Sequence, residues 1–300
     1  METLVDALVF FPRGLVYVVL GVIVLLLAKL VRSAITTHKE DEEVVQRQNL
    51  AEALRLSGYL IGVVLVFVGA VYQPAHLALI ESGIGFDAQF GMDVLRVFLY
   101  SLAGIVVLNI LRISMDKLVL YKFDVEKEIV EDRNVGTGAV EFGIYVATGL
   151  MIAGSLSGAG GGGELFEAIT TLVFLVLGQA VLILFALFYQ LTTSFDVHDE
   201  IERDNAAVGV AFGGNLAAIG FVMLKALSGD FLSWQQSIIE FVLFAVVGFV
   251  LLYVLRLLVD LLVLPRVNVS QQMTGERNAG VALVESAVVI SCSLILFFAI

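Results

Sequence analysis

The chain has 300 residues, of which 59 % are hydrophobic and only 15 % charged, with a formal net charge of −12. A soluble domain carries about 25 % charged residues; here, apolar runs long enough to cross a hydrocarbon core of ~30 Å recur from end to end, which implies a polytopic membrane protein. The acidic balance argues against nucleic acid as a partner, and the single cysteine, Cys292, excludes a disulfide framework or a CxxC metal site.

The first apolar run, Gly14 to Leu30, is too long and too rich in Leu and Val for a signal-peptide core, and reads as a membrane span. In chain order the spans are expected at 14–34, 52–72, 92–115, 136–156, 166–191, 206–228, 233–262 and 278–299. Of the 17 Lys and Arg residues, 14 lie in or beside the loops joining spans 1–2, 3–4, 5–6 and 7–8. By the excess of basic residues on the inner side, those loops face the cytoplasm and both termini face outward. The expected location is a bacterial or archaeal cytoplasmic (inner) membrane.

The four basic loops end as "QRQNLAEA", "EDRNVGTG", "ERDNAAVG" and "GERNAGVA". Each places an asparagine (Asn49, Asn134, Asn205, Asn278) just before an even-numbered span. An asparagine there is a good helix N-cap, because its side-chain oxygen accepts from an amide of the first turn that has no other partner. At a membrane boundary such an amide costs several kcal/mol if left unpaired. Larger blocks repeat too. Asn49 maps onto Asn205 with Gly58 onto Gly214, and Asn134 maps onto Asn278 with Arg112 onto Arg256, Asp116 onto Asp260 and Glu141 onto Glu285.

The chain is therefore expected to be all-α, with eight transmembrane helices in two parallel, pseudo-symmetric four-helix repeats: residues 1–156 and 166–300, joined by a Gly-rich outer linker at 157–165. Small residues crowd the even spans, with GxxxG spacings at Gly58/Gly62 and Gly209/Gly213. Even spans are expected to form the interior, and the Leu-, Val- and Phe-rich odd spans to face lipid.

The fourfold asparagine openings and the duplicated four-span body resemble the YjfL-like bacterial inner-membrane family, domain-of-unknown-function family 350. The likeness is clearest over Asp199–Gly220 and Arg277–Glu285. The resemblance implies an inner-membrane location and a paired-domain architecture; it implies no biochemical activity.

Glu141 and Glu285 follow their capping asparagines by seven residues, about 10 Å into the membrane at 1.5 Å per residue. A carboxylate at that depth is either a functional group or half of a structural ion pair. Arg112 and Arg256 on the preceding spans are the expected partners, and the structural pair is the favoured reading because it recurs in both halves. Asp116 and Asp260 at helix C-termini, and Arg133 and Arg277 at helix N-termini, each oppose the helix dipole, which suggests bridges Asp116–Arg133 and Asp260–Arg277. Glu52 and Arg55 in span 2 have no charged counterparts in span 6, where Val208 and Ala211 stand. His38 and His198, set among acidic residues, read as solvated turns.

No G-x-S-x-G, HExxH, P-loop or Rossmann fingerprint occurs, so no catalytic residue, metal or cofactor is expected, and an enzyme is the least favoured class. Two classes remain: permeation of protons or cations along a polar path near Glu141 and Glu285, or a non-transporting scaffold in envelope or membrane-stress machinery. The expected partners are the lipid bilayer, a second copy of the chain and, for a scaffold, a cytoplasmic protein.

Overall fold

The computed structural model describes residues 2–81, 88–158, 163–259, 261, 265 and 268–299. Among the described residues, eight helices are long and apolar enough to cross a membrane. They fall into two four-helix repeats of the same orientation. In the first repeat, α1 (Glu2–Ile35) and α2 (Leu50–Glu81) form one hairpin, closed by a π-helical turn (Glu42–Gln46). Next come α3 (Ala88–Leu118), the short loop helix α4 (Val125–Val130) and α5 (Val135–Ser157). The second repeat runs α6 (Glu164–Thr192), loop helix α7 (Val197–Glu202), α8 (Ala206–Leu227), α9 (Trp234–Leu258), loop helix α10 (Val269–Thr274) and α11 (Ala279–Ala299).

The even spans α2, α5, α8 and α11 stand in a row, each packed on the next. Glycine makes that row tight. A Cβ on Gly209 would lie 2.3 Å from the Cα of Gly136, and one on Gly143 would lie 2.1 Å from the carbonyl oxygen of Gly213. Such distances leave room for hydrogen alone, so the backbones touch directly, and dispersion contacts take the place of a hydrophobic driving force that lipid cannot supply. The odd spans lie against the row: α3 on α2 and α5, α6 on α5 and α8, α9 on α8 and α11.

Burial follows from this. Within their membrane windows α5 is 89 % and α8 78 % buried, against 11 % for α1. The expected interior of even spans thus needs one correction. At 28 % buried, α11 is no more enclosed than its odd neighbour α9, also 28 %, because it ends the row and packs on a single even helix, α8.

The four asparagines build the hairpins' entry in one way. The residue before each (Gln48, Arg133, Asp204, Arg277) sits in the left-handed region, with φ between 49° and 60°. This sharp turn, mildly costly for residues with a Cβ, swings the chain from loop helix into span. Each asparagine oxygen then caps its span. It accepts from the amide of Glu52 (3.1 Å), Thr137 (3.0 Å), Val208 (3.4 Å), or Gly280 (3.1 Å) together with Val281 (3.4 Å).

Candidate functional site

On the side that carries the loop helices, the first repeat encloses a connected set of charged groups. Arg112 on α3 directs its Nε to Glu141 Oε2 at 3.1 Å and its Nη2 to Asp116 Oδ2, one turn along the same helix, also at 3.1 Å. Glu141 is fully buried on α5. The two carboxyl groups thus meet the same guanidinium. Glu141 Oε1 and Asp116 Oδ1 are both buried with no donor.

Around this pair stand residues that earlier looked like isolated intramembrane charges or loop groups. On α2, the fully buried Arg55 pairs with Glu52 on its own helix and, at 2.7 Å, with Glu126 on α4. His38 Nδ1 sits 2.8 Å from Glu126 and its Nε2 3.2 Å from Arg55. On α1, Arg32 pairs with Glu40, reaches Glu52 at 3.4 Å and donates to the Tyr145 hydroxyl at 2.7 Å. Its guanidinium also lies 4.9 Å from the centroid of the Tyr59 ring. Three arginines (32, 55, 112) thus face five carboxyl groups (40, 52, 116, 126, 141), with His38 among them. Burial alone would push the Glu126 carboxyl up, but the positive charges of Arg55, His38 and Arg112 outweigh it and hold the group below the usual carboxylate value. A cleft lined by Arg32, Thr36, Asn109, Arg112, Glu126 and Tyr145 runs beside the network.

The second repeat keeps the core of this arrangement. Arg256 Nε lies 3.3 Å from Glu285 Oε1, and the same oxygen accepts from Asn215 on α8 at 3.3 Å. Arg256 further reaches Thr193 Oγ1 at 3.3 Å and stacks 4.1 Å above the Tyr189 ring. Asp260 lies outside the described residues, as does any bridge from it to Arg277.

Two expectations change. Asp116 does not bridge to Arg133. The left-handed backbone at Arg133 turns its side chain out toward the neighbouring hairpin, where it donates to the Arg47 carbonyl at 3.3 Å, while Asp116 stays with Arg112 inside. Nor are the histidines solvated. His38 belongs to the network, and His198 is buried with its Nε2 2.7 Å from the Val119 carbonyl oxygen, joining α7 to the end of α3. Nearby, Lys122 binds Asp196 at 2.6 Å and Asp199 at 2.7 Å across the two halves. Those hydrogen bonds raise the Lys122 ammonium and lower the Asp196 carboxyl from their ordinary values.

The network's signal in the sequence was the asymmetry at span 2. Glu52 and Arg55 stand where the second half has Val208 and Ala211, so the two copies of the duplicated fold differ in charge at span 2. Nothing in the sequence placed Glu40, His38 or Glu126 beside them, because those contacts come from loops folded back over the membrane face.

Eight membrane-spanning helices, duplicated four by four around buried ion pairs, define a polytopic membrane protein of repeat architecture. The family model described as a Domain of Unknown Function (DUF350) matches residues 4–156 and again residues 164–300, and the chain belongs to that family. It is 23 % identical over 258 residues to a UPF0719 transmembrane protein of Aquifex aeolicus (strain VF5), covering 86 % of this chain and 88 % of the relative. A second relative, the UPF0719 transmembrane protein YshE of Bacillus subtilis (strain 168), is 28 % identical over 98 residues, which are 33 % of this chain and 69 % of YshE. No solved structure matches.

Proposed function

We propose that the chain is a proton- or cation-permeating protein, not an enzyme, of a bacterial or archaeal inner membrane, with its loop helices in the cytoplasm and both termini outside. The single observation that carries this reading is the pair of buried, donor-less oxygens of Glu141 and Asp116 beside Arg112. Two carboxyl groups gathered on one arginine, each with an oxygen that has no donor, gain a donor when either of them takes up a proton. The pair lies close to the loop surface: Arg112, which holds both carboxyls, is 3.9 Å from the half-exposed Glu126, and Glu126 meets His38, so the last proton-accepting groups before the loop side are Glu126 and His38, with Arg112 holding them in place by charge. In this proposal the second half, with its simpler Arg256–Glu285 pair, supports the fold while the first half moves charge.

The test is proton flux into proteoliposomes loaded with a pH-sensitive dye. Wild-type vesicles should dissipate an imposed gradient, Glu141→Gln and Asp116→Asn should slow this at least tenfold, and Glu285→Gln should not. Wild-type vesicles as tight as empty ones would overturn the reading. In that event, loss of a co-purifying protein when loop 121–132 is replaced becomes the measurement for a scaffold.

A further inference from the structure

The row of even spans is open at both ends, and each end is the counterpart of a surface that is filled inside the chain. At three junctions a capping asparagine does double duty. Asn49 donates to the Ile129 carbonyl of the next hairpin at 2.8 Å, Asn134 to Ile201 at 2.6 Å and Asn205 to Met273 at 2.9 Å. All three are buried, at 1 % exposure or less. Asn278 caps its span in the same way, and its amide reaches Gln272 of its own loop helix at 3.0 Å, but the residue is exposed. At the other end, Val44 in the π-helical turn is the residue that corresponds to Ile129, Ile201 and Met273.

The helix faces agree. In the second half, α5 fills the groove between α6 and α8: a Cβ on Gly178 would lie 3.3 Å from Met151 Sδ, and one on Gly220 2.6 Å from the Ala147 Cα. Leu182 and Ala217 in that groove are 0 % and 2 % exposed. The matching groove between α1 and α2, lined by Val22, Leu26, Ile61 and Val64 among others, is open. Leu26, Ile61 and Val64, counterparts of Leu182, Ala217 and Gly220, are 59 %, 42 % and 40 % exposed. The helix that corresponds to α5 is α11, and the face of α11 that matches the buried α5 face (Gly280, Leu283, Ala287, Ser291) is exposed too.

We infer that α11 of one copy seats in the α1–α2 groove of a second copy, with Asn278 donating to the Val44 carbonyl. The junction between the two halves of the chain is thereby repeated between chains. The contact is head to tail, so copies build a ring if the rotation closes and an open row if it does not. Leu283 and Ala287 replace Ala139 and Gly143, so this junction is wider than the internal one. The B. subtilis relative adds a second argument. Its 98 matched residues are 69 % of its length, so it is about half as long as this chain, and a one-unit protein can make a half-to-half junction only between chains. The inference stands independently of proton movement.

The test uses full-length chains carrying Cys292→Ser, with Val64→Cys on one and Ser291→Cys on the other, co-expressed and oxidised in native membranes. These positions match Gly220 and Ala147, which touch. A mixed dimer should form, and one chain carrying both changes should give a ladder of multiples. Absence of any cross-link between chains, or cross-linking of Val64→Cys chains to each other, would overturn the inference. Light scattering of the wild-type protein in mild detergent gives a readout free of substitutions: a mass above one chain is expected, and a strict monomer overturns the proposal.

Discussion

The two halves of this chain share a backbone plan and differ in what they place inside it. Where the first half has Arg32, Glu52, Arg55 and Tyr145, the corresponding positions of the second hold Phe188, Val208, Ala211 and Val289. Both retain the arginine-to-glutamate contact between the third and fourth spans of the repeat, at 3.1 Å and 3.3 Å. Around that contact the first half adds Arg32, Glu40, Glu52, Arg55, Glu126 and His38. Burying ions costs several kcal/mol each, and apolar replacements of similar volume are often neutral or stabilising.

That contrast can be broken most sharply at the helix row. Gly143→Leu drives a side chain into the Gly213 backbone, and should cost about 3 kcal/mol or more by overpacking. The same change at its exposed counterpart, Ala287→Leu, should leave the fold of a single copy within about 0.5 kcal/mol. Thermal unfolding in detergent compares the two.

Next in size is the network. Arg55→Ala, which installs the second half's residue, leaves the buried Glu52 with only the more distant Arg32 and should cost about 3 kcal/mol. The double change Glu52→Val with Arg55→Ala should recover more than half of that loss, and a double-mutant cycle on unfolding free energies measures the coupling. If the double variant is no better than the single one, the two charges are not a unit.

The asparagines come third. Asn134→Ala removes both a cap and a bond to the next hairpin, for about 2–3 kcal/mol, whereas Asn278→Ala removes a cap and an exposed bond to its own loop helix, for about 1 kcal/mol.

The smallest effect is one of pH. The Glu126 carboxyl is held below its ordinary value, so the stability it contributes to docking of α4 is present above the unfolded carboxylate value of about 4.5 and is lost as pH falls through the folded one. Ser270 occupies the matching position on α10. Proteolysis of the α3–α5 loop should therefore quicken between about pH 5 and pH 3 while that of the α9–α11 loop does not.

Much of this was legible in the chain itself. Hydropathy showed the spans because a bilayer admits only long apolar segments whose backbone bonds are met within the helix. Recurrence of Asn before each even span showed the repeat, since every hairpin faces the same capping problem at the same boundary. The pairing of Arg112 with Glu141 was suggested by depth: two antiparallel neighbours of equal depth meet. The partners of Asp116 and Arg133 were misjudged because dipole arguments ignore direction, and one left-handed residue turned Arg133 away from the site.

By itself the sequence determined that there are eight spans, that they form two like-oriented repeats, and that Glu141 and Glu285 lie inside, all consequences of local composition and period. Only the tertiary structure decided that the loops fold His38, Glu40 and Glu126 onto those carboxylates and that the row of helices ends unfilled on both sides. Those outcomes depend on which backbones come close enough to touch, and no single segment carries that information.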